Sequence, residues 1–203
     1  METSIILCMT EIPLFPLPLV LFPGGRLPLQ IFEVRYLDMI KSCMRENSGF
    51  GVVMLETDNE IFDGYNALAN ISNQGTYTII VDFDQFPNGM LGIMTEGRTK
   101  FAIREKYEQR DHLLVAQVDF FDQEEEAVLP LDKAHLVTLL RSLIKDKWVA
   151  GLNYTVDFGA AGEVGARLVE LLPLAIEEKQ RLFEIKSPLV RLEELDKVIT
   201  MLR

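Results

Sequence analysis

The sequence predicts an α+β fold, in which a β-rich first part forms a barrel with one inserted helix and a helical bundle follows. Two patterns predict this division. Up to about residue 120, apolar residues recur at every second position in short runs separated by turn residues, which is typical of strands. Beyond residue 130, leucines recur at helical spacing, which is typical of helices that pack on one another.

The first predicted elements are extended segments and one helix. The proline-rich segment 12–22 can form only short or edge strands, because proline cannot donate a hydrogen bond to a neighbouring strand. Leucine and isoleucine occupy every second position of 27–31, which predicts a strand. Residues 33–46 carry apolar side chains at helical spacing and are followed by the stop signal 47–49. The apolar run 51–55 then predicts a strand buried on both faces.

A hairpin gives the clearest strand signal. Residues 76–83 alternate along their length, and Asn88-Gly89 supplies the positive φ angles of a tight turn. Gly97 is expected to break the returning strand, so that a separate strand begins near Phe101. A further strand is predicted at 114–120. Several antiparallel strands this close together favour a closed barrel, because closure removes open edges.

An acidic run at 122–126 separates the two predicted parts. Consecutive acids on a flexible segment seldom converge on one metal ion, so we interpret the run as a solvated linker. The predicted domains are a β-rich part at 1–121, an acidic linker at 122–130 and a helical bundle at 131–203.

Four apolar stripes predict helices in the second part. The first stripe begins at Leu136, and the second covers 164–172. Pro173 is expected in the first turn of the third helix, where its missing N–H group costs nothing. Ser187 is expected to cap the last helix. Trp148 is expected to pack between helices, as large aromatic side chains usually do.

The charge balance narrows the classes of partner. The chain has 31 acidic and 20 basic residues and a formal net charge of −11. Affinity for nucleic acids and for anionic membranes depends largely on Lys and Arg, so neither partner is expected. The N-terminus has Glu2 where a secretory signal carries basic residues, and we expect a cytoplasmic protein. Cys8 and Cys43 are interpreted as buried free thiols of a reducing compartment.

The sequence contains no recognisable catalytic motif. It has neither a phosphate-binding loop of the Gly-x-x-x-x-Gly-Lys-Ser/Thr type nor a Gly-x-Ser-x-Gly elbow. The glycines within 159–165 lack the spacing and the strand context of a dinucleotide loop. His112 and His135 have no second metal-binding residue three or four positions further along the chain, and Cys43 lies on an apolar helix face, where a thiol stays neutral. We therefore expect no catalytic residue, no metal and no cofactor.

Several segments match a pattern known from one protein family. They are Ile12–Leu17, Val20–Gly24, Leu27–Tyr36, Gly75-Thr76, Asn88-Gly89, Gly97–Ile103, Leu172-Pro173, Glu178–Gln180, Leu182–Glu184 and Arg191-Leu192. With these segments, the sequence resembles the N-terminal, substrate-binding domain of Lon protease, although the family often has Arg at the position of Lys100.

This resemblance implies a PUA-like barrel followed by a helical bundle, and a module that recognises and holds polypeptides. It implies no catalysis in this piece, because the ATPase and the Ser-Lys peptidase of full-length Lon lie downstream and are expected to be absent here. The matching residues are expected to shape turns and to fill the barrel, so the resemblance assigns no binding residue.

The leading hypothesis is a non-catalytic module that binds protein substrates or unfolded polypeptides. Apolar and aromatic groups on loops, and in the groove between barrel and bundle, should supply the affinity. We single out Phe62 and Tyr65 in an irregular loop, and Phe86 and Met90 beside the predicted hairpin turn, as protein-contact residues. A weak homodimer is a further expectation.

Two alternative functions come from other classes. PUA-like barrels often bind RNA, and Arg98, Lys100, Arg104 and Lys106 alternate along one predicted strand, although Glu105 and the overall charge oppose this function. The other alternative is a hydrolase with an unrecognised dyad, in which Cys43 would be the nucleophile.

Overall fold

Six strands and six helices follow one another along residues 10–56, 70–85 and 90–201, the part of the chain that the computed structural model describes. The strands are β1 (Thr10–Leu17), β2 (Arg26–Ile31), β3 (Phe50–Leu55), β4 (Ile71–Gln85), β5 (Leu91–Glu108) and β6 (Leu114–Phe120). The helices are α1 (Val34–Glu46), α2 (Ala134–Ile144), α3 (Lys147–Ala150), α4 (Ala161–Leu171), α5 (Ile176–Glu184) and α6 (Pro188–Met201). The fold is thus a mixed sheet plus helices, as the predicted α+β class requires.

The six strands form one sheet in the order β2-β5-β4-β3-β1-β6, and β6 also pairs with β5. The first half of β5 pairs with β2 and the second half pairs with β6, while β4 lies along the other edge of β5. The pairings β5-β4-β3-β1-β6-β5 therefore form a closed cycle. All pairs are antiparallel except β1 and β3, which are parallel because the chain crosses over through β2 and α1 between them.

Gly97 does not interrupt the chain, and the predicted break there was wrong. β5 runs continuously through it for 18 residues. A side chain at Gly97 would place a Cβ atom 2.4 Å from the carbonyl oxygen of Phe22. Gly97 instead exchanges hydrogen bonds with the turn before β2, donating to the Gly25 carbonyl and accepting from the Gly24 N–H, each at 2.9 Å. The glycine is needed for close approach of this turn to the sheet.

The predicted inserted helix is confirmed as α1. Its buried side chains Tyr36, Met39, Ile40 and Cys43 share one face, which packs on the sheet. The helix ends at Asn47, whose φ of 52° lies in the left-handed region that Asn tolerates.

The helices after β6 also follow the predicted stripes, with one change of boundary. Pro173 is not in the first turn of α5, which begins at Ile176. The residue before a proline is pushed towards extended backbone, and Leu172 accordingly ends α4 with ψ of 148°. Ser187 precedes α6, and its Oγ accepts a 3.5 Å hydrogen bond from the Val190 N–H, as expected for an N-cap.

Trp148 is 66% exposed, so the prediction that it packs between helices was wrong. It lies in α3, which has only four residues and begins where the Asp146 carboxylate accepts the Trp148 N–H. A helix this short buries little of its surface, and Val149 is its only buried residue.

The described residues form three apolar clusters, and one of them joins the helices after β6 to the sheet. Phe22, from the turn after β1, meets Phe183 of α5 with the ring centroids 5.0 Å apart. Val20 and Met54 join the same cluster, which is otherwise built from α2, α4, α5 and α6. Burial of an aromatic side chain such as Phe22 stabilises the fold by about 2–3 kcal/mol. This packing fixes the position of the helices beside the sheet and defines the groove between them.

Candidate functional site

A groove of about 670 Å³ lies between the sheet and the helices. Its lining comes from the turn at 22–24, from β5 at 98–100, from the segment 122–128, from residues between 155 and 167, and from the first turn of α6. A site with walls from several elements is the usual place for ligand recognition. The sequence-based hypothesis also placed a binding surface between the barrel and the bundle.

A buried charge cluster forms the floor of this groove. The Lys100 ammonium donates to Glu124 Oε1 at 2.6 Å and to the Phe183 carbonyl at 2.7 Å. Arg191 Nη2 also donates to Glu124 Oε1, and it reaches the Ile185 carbonyl at 3.1 Å. One carboxylate from the acidic run thus binds a cation on the sheet and a cation on α6.

The interpretation of the acidic run as a solvated linker therefore fails at Glu124. Its side chain is 27% exposed. Burial would raise its pKa, but the hydrogen bond and the charge of Arg191, together with those of Lys100, hold the pKa of Glu124 below its usual value. The sequence gives no sign of this role, because nothing distinguishes Glu124 from its acidic neighbours along the chain.

The cluster holds two cations and one carboxylate. Burial and the neighbouring Arg191 lower the pKa of Lys100 to about 8, and the attraction of Glu124 only partly offsets them. Aromatic rings contribute further: the Lys100 ammonium lies 4.4 Å from the ring centroid of Phe183 and 4.9 Å from that of Phe22. The floor of the groove is therefore positively charged and largely removed from water.

Arg191 keeps unused hydrogen-bonding capacity. It is fully buried, yet its Nε and Nη1 atoms have no hydrogen-bond partner among the described residues. Buried donors usually find an acceptor, and these two atoms have almost no exposed surface, so a bound group could reach them only if the Arg191 side chain moved.

A second buried pair anchors α4 to the turn after β1. Glu170 Oε1 accepts the Phe22 N–H at 2.7 Å, and Arg167 lies 3.0 Å from Glu170 Oε2 and donates to the Pro23 carbonyl at 2.9 Å. Burial raises the pKa of Glu170, against the attraction of Arg167. Burial, and then the charge of Glu170, raise the pKa of Tyr154 to about 12. This pair holds one wall of the groove in place.

Five carboxylates line the groove and are exposed: Asp122, Glu125, Glu126, Asp157 and Glu163. The Asp157 N–H donates to Glu163 Oε2 at 2.6 Å, which shapes the loop before α4. None of the five makes an ion pair with a described residue. The rim of the groove is therefore negative, in contrast to its floor.

The predicted protein-contact residues fall mostly outside the described part of the chain. Phe62, Tyr65 and Phe86 lie outside it. Met90 immediately precedes β5 and is half-buried. Phe83, on the neighbouring end of β4, is 60% exposed and was not singled out from the sequence. Its exposure shows that this end of the hairpin presents at least one large apolar side chain.

The predicted basic stripe on β5 is not a free surface. Arg98 and Arg104 each form an ion pair with a nearby carboxylate, and Lys100 is buried in the cluster described above. Lys106 is half-buried. Charges already neutralised within the protein have little attraction left for phosphates.

Cys43, His112 and His135, which were considered for catalysis, each contact a different residue. Cys43 is buried and donates a hydrogen bond to the Gly49 carbonyl at 3.4 Å, and burial raises its pKa. The His112 ring contacts Glu108, and the His135 ring lies 2.7 Å from Asp196. Within 10–56, 70–85 and 90–201, no three metal-binding side chains cluster together. Helices of this same part are too short or too polar to cross a lipid bilayer.

The fold and the groove define a class: a mixed-sheet α+β protein whose candidate site lies between sheet and helices. Residues 11–201 match the family described as the ATP-dependent protease La (LON) substrate-binding domain. The chain therefore belongs to this family, which confirms the resemblance noted in the sequence.

Individual relatives agree with this assignment. The chain is 24% identical over 193 residues to Lon protease 1 of Bacillus subtilis (strain 168) and 27% identical over 197 residues to Lon protease of Trichlorobacter lovleyi. These alignments cover 91% and 93% of this chain but only 24% and 23% of the relatives. The chain thus spans about a quarter of the length of these curated proteins.

Solved structures show the same fold. The crystal structure of a Lon N-terminal domain protein from Xanthomonas campestris is similar with a TM-score of 0.73 and 32% identity, over 92% of this chain and 97% of that one. The N-terminal domain of the Mycobacterium avium complex Lon protease has a TM-score of 0.58 at 12% identity, over 92% and 96% of the two chains. At that identity the second likeness concerns the fold alone.

Proposed function

We propose that this chain is a non-catalytic module that binds polypeptide segments lacking stable structure, and that the groove between sheet and helices is its main binding surface. The observation that carries the proposal is the composition of this groove. It combines exposed apolar side chains such as Val128 with a rim of exposed carboxylates that have no ion-pair partner among the described residues. Such groups suit the apolar and polar groups of an unfolded segment, which a folded protein keeps buried or paired internally. The family match, which concerns a substrate-binding domain, supports a binding role rather than catalysis.

A second contact surface is proposed at the β4–β5 hairpin and the irregular loop. It consists of Phe62, Tyr65, Phe86 and Met90, joined by Phe83. Exposed aromatic side chains at loop and hairpin ends lose unfavourable contact with water when an apolar segment covers them. The 60% exposure of Phe83 supports this choice of surface.

The organisation proposed for the chain follows from its pairings and boundaries. We propose a PUA-like barrel part at 1–121, a connecting segment at 122–130 and a helical bundle at 131–203. The closed cycle of strand pairings supports the barrel, and the elements α2 to α6 all lie after residue 131. A cytoplasmic location and a weak homodimer remain predictions of the same proposal.

The two alternative functions are not favoured. RNA binding would require free cations on β5, whereas Arg98, Lys100 and Arg104 are paired internally. A hydrolase using Cys43 would require an accessible thiolate, whereas burial raises the pKa of this thiol.

Binding to one protein in its native and in its permanently unfolded form tests the proposal. A fluorescent ribonuclease A, reduced and capped with iodoacetamide so that its cysteines carry no charge, is titrated with the chain, and the native protein serves as the control. We expect the fluorescence anisotropy of the unfolded form to rise in a saturable manner and that of the native form to stay flat. Equal binding of both forms, or binding of neither, would remove the proposed function.

Two matched variants test the hairpin surface in the same assay. Replacing Phe62, Tyr65, Phe86 and Met90 with Ser should weaken binding at least about tenfold, because the loss of even one large apolar contact costs about 1–2 kcal/mol. The control variant replaces four exposed apolar residues elsewhere with Ser; they are Leu131, Trp148, Val190 and Met201. An equal loss in both variants would show that general surface hydrophobicity, and not this surface, binds the client.

A further inference from the structure

We infer that the groove selects segments that carry Lys or Arg side chains, so that its clients are basic as well as unfolded. This inference rests on the proposed function and adds the chemical class of the client. It is based on a difference between the cations of the groove, which form ion pairs within the protein, and five carboxylates of the groove, which do not form ion pairs with described residues.

Each cation that lines the groove already has a carboxylate partner. The pairs are Arg98 with Glu96, Lys100 and Arg191 with Glu124, and Arg167 with Glu170. Three of these four cations are also buried, and only Arg98 is exposed. The groove therefore offers an anionic client little charge that is both free and accessible.

The acids Asp122, Glu125, Glu126, Asp157 and Glu163 line the groove and, unlike the cations, are exposed and have no ion-pair partner among the described residues. Asp122, Glu125 and Glu126 are exposed and make neither a hydrogen bond nor an ion pair with any residue that the structure describes. Asp157 and Glu163 help to shape a loop but have no cationic partner within the same described residues. Several like charges along one concave surface produce a negative potential that attracts cations and speeds their encounter.

The mixed lining makes a polypeptide a better occupant than a small cation. Arg191 lines the groove, and its buried Nε and Nη1 atoms have no acceptor among the described residues. A client carbonyl would pair with them once the side chain shifts, whereas a metal ion or an amine supplies no acceptor. A polypeptide supplies both kinds of group, because its main-chain carbonyl oxygens accept hydrogen bonds while its Lys or Arg side chains meet the acidic rim. The mixed charge of floor and rim thus fits a basic polypeptide.

The apolar part of the lining suits the same side chains. Pro23, Val128 and Pro188 line the groove beside the carboxylates, and Val128 is among the most exposed apolar residues of the described chain. Lys and Arg bury their aliphatic stems against such surface while the charged end remains near water or a carboxylate.

The test compares two peptides and three proteins. The peptides are unstructured, equal in length and apolar content, and differ only in having Lys or Gln at four positions. The groove variant is D122N/E125Q/E126Q. The control variant is E56Q/E105Q/E177Q, which neutralises three exposed acids that have no ion-pair partner among the described residues and do not line the groove.

Wild type should bind the Lys peptide about tenfold more tightly than the Gln peptide at low ionic strength, and added salt should remove the difference. The groove variant should lose this preference, whereas the control variant should stay within about twofold of wild type. Circular dichroism should show the same fold for all three proteins.

Each other outcome counts against the inference in a distinguishable way. Equal binding of both peptides by wild type would refute the charge preference but leave the proposed function intact. An equal loss in the groove and control variants would assign the preference to net charge and not to the groove. Binding of neither peptide would remove the proposed function together with this inference.

Discussion

Replacing Glu124 with Gln should destabilise the protein far more than its position in an acidic run suggests. The change keeps the size of the side chain but removes the negative charge that Lys100 and Arg191 share. Removing one partner of a fully buried ion pair costs about 3–5 kcal/mol, because the remaining charge stays buried and uncompensated. Glu124 is 27% exposed, so solvent screening reduces this cost to about 2–4 kcal/mol.

Urea unfolding followed by circular dichroism measures this loss. With a slope of about 2 kcal/mol per molar urea, the midpoint should fall by about 1–2 M. The matched control is E125Q, in the exposed and unpaired neighbour, which should change the free energy of unfolding by less than about 0.5 kcal/mol.

A double-mutant cycle separates the charge effect from general damage. K100M removes one of the two stranded cations, so it should cost less in the E124Q background than in wild type, and the two changes should not be additive. If E124Q is as stable as E125Q, or if K100M and E124Q are additive, the cluster does not join the sheet to the helices as described.

The remaining predictions concern stability, pH and thiol reactivity. Burial lowers the pKa of Lys100 to about 8, so the unfolded state binds more protons than the folded state between pH 8 and about 10.5. The free energy of unfolding of wild type relative to K100M should therefore rise across this window by up to about 3 kcal/mol. Urea unfolding at successive pH values measures this difference, and a flat or falling difference would contradict the lowered pKa. G97A should lower the free energy of unfolding by about 2–4 kcal/mol in urea, because the new Cβ atom would lie 2.4 Å from the Phe22 carbonyl oxygen. A neutral effect would mean that the turn at residues 22–25 does not approach β5 so closely. E170A should lower the melting temperature by about 5–12 °C in a calorimetric scan, because the Phe22 N–H and Arg167 both lose the Glu170 carboxylate. An unchanged melting temperature would show that Glu170 does not anchor α4. Cys43 should resist alkylation by iodoacetamide in the native state and react in urea, and rapid native labelling would show that the thiol is accessible.

Periodicity predicted most of the elements because it reports burial on one face. The apolar stripe of α1 and those of α2, α4 and α6 are regular, and each became a helix close to its predicted position. The errors at Gly97 and Pro173 occurred where backbone geometry, and not burial, decides the structure. Gly97 is a strand residue that admits a neighbouring carbonyl, and a sequence does not distinguish that use of glycine from a chain break.

The sequence predicted a binding surface between the barrel and the helical bundle, but it did not identify the charged residues that form its floor. Lys100, Glu124 and Arg191 lie 24 and 67 residues apart along the chain, and only the fold brings them together. Each also looks ordinary in its local context: a charged strand position, one acid in a run of acids, and an arginine beside an apolar stripe. A signal existed in the matching segment 97–103, where a cation recurs in the family pattern, but sequence alone does not reveal its partner.

Cross-linking from within the groove tests the central claim most directly. A photoreactive benzoylphenylalanine replaces Thr155, which lines the groove and is exposed, or Glu177, which is exposed on α5 and does not line it. The two proteins are irradiated with the reduced and capped ribonuclease A and analysed by mass spectrometry. We expect covalent adducts from position 155 and none from position 177. Adducts from position 177 alone, or equal yields from both, would place the client outside the groove and contradict the account.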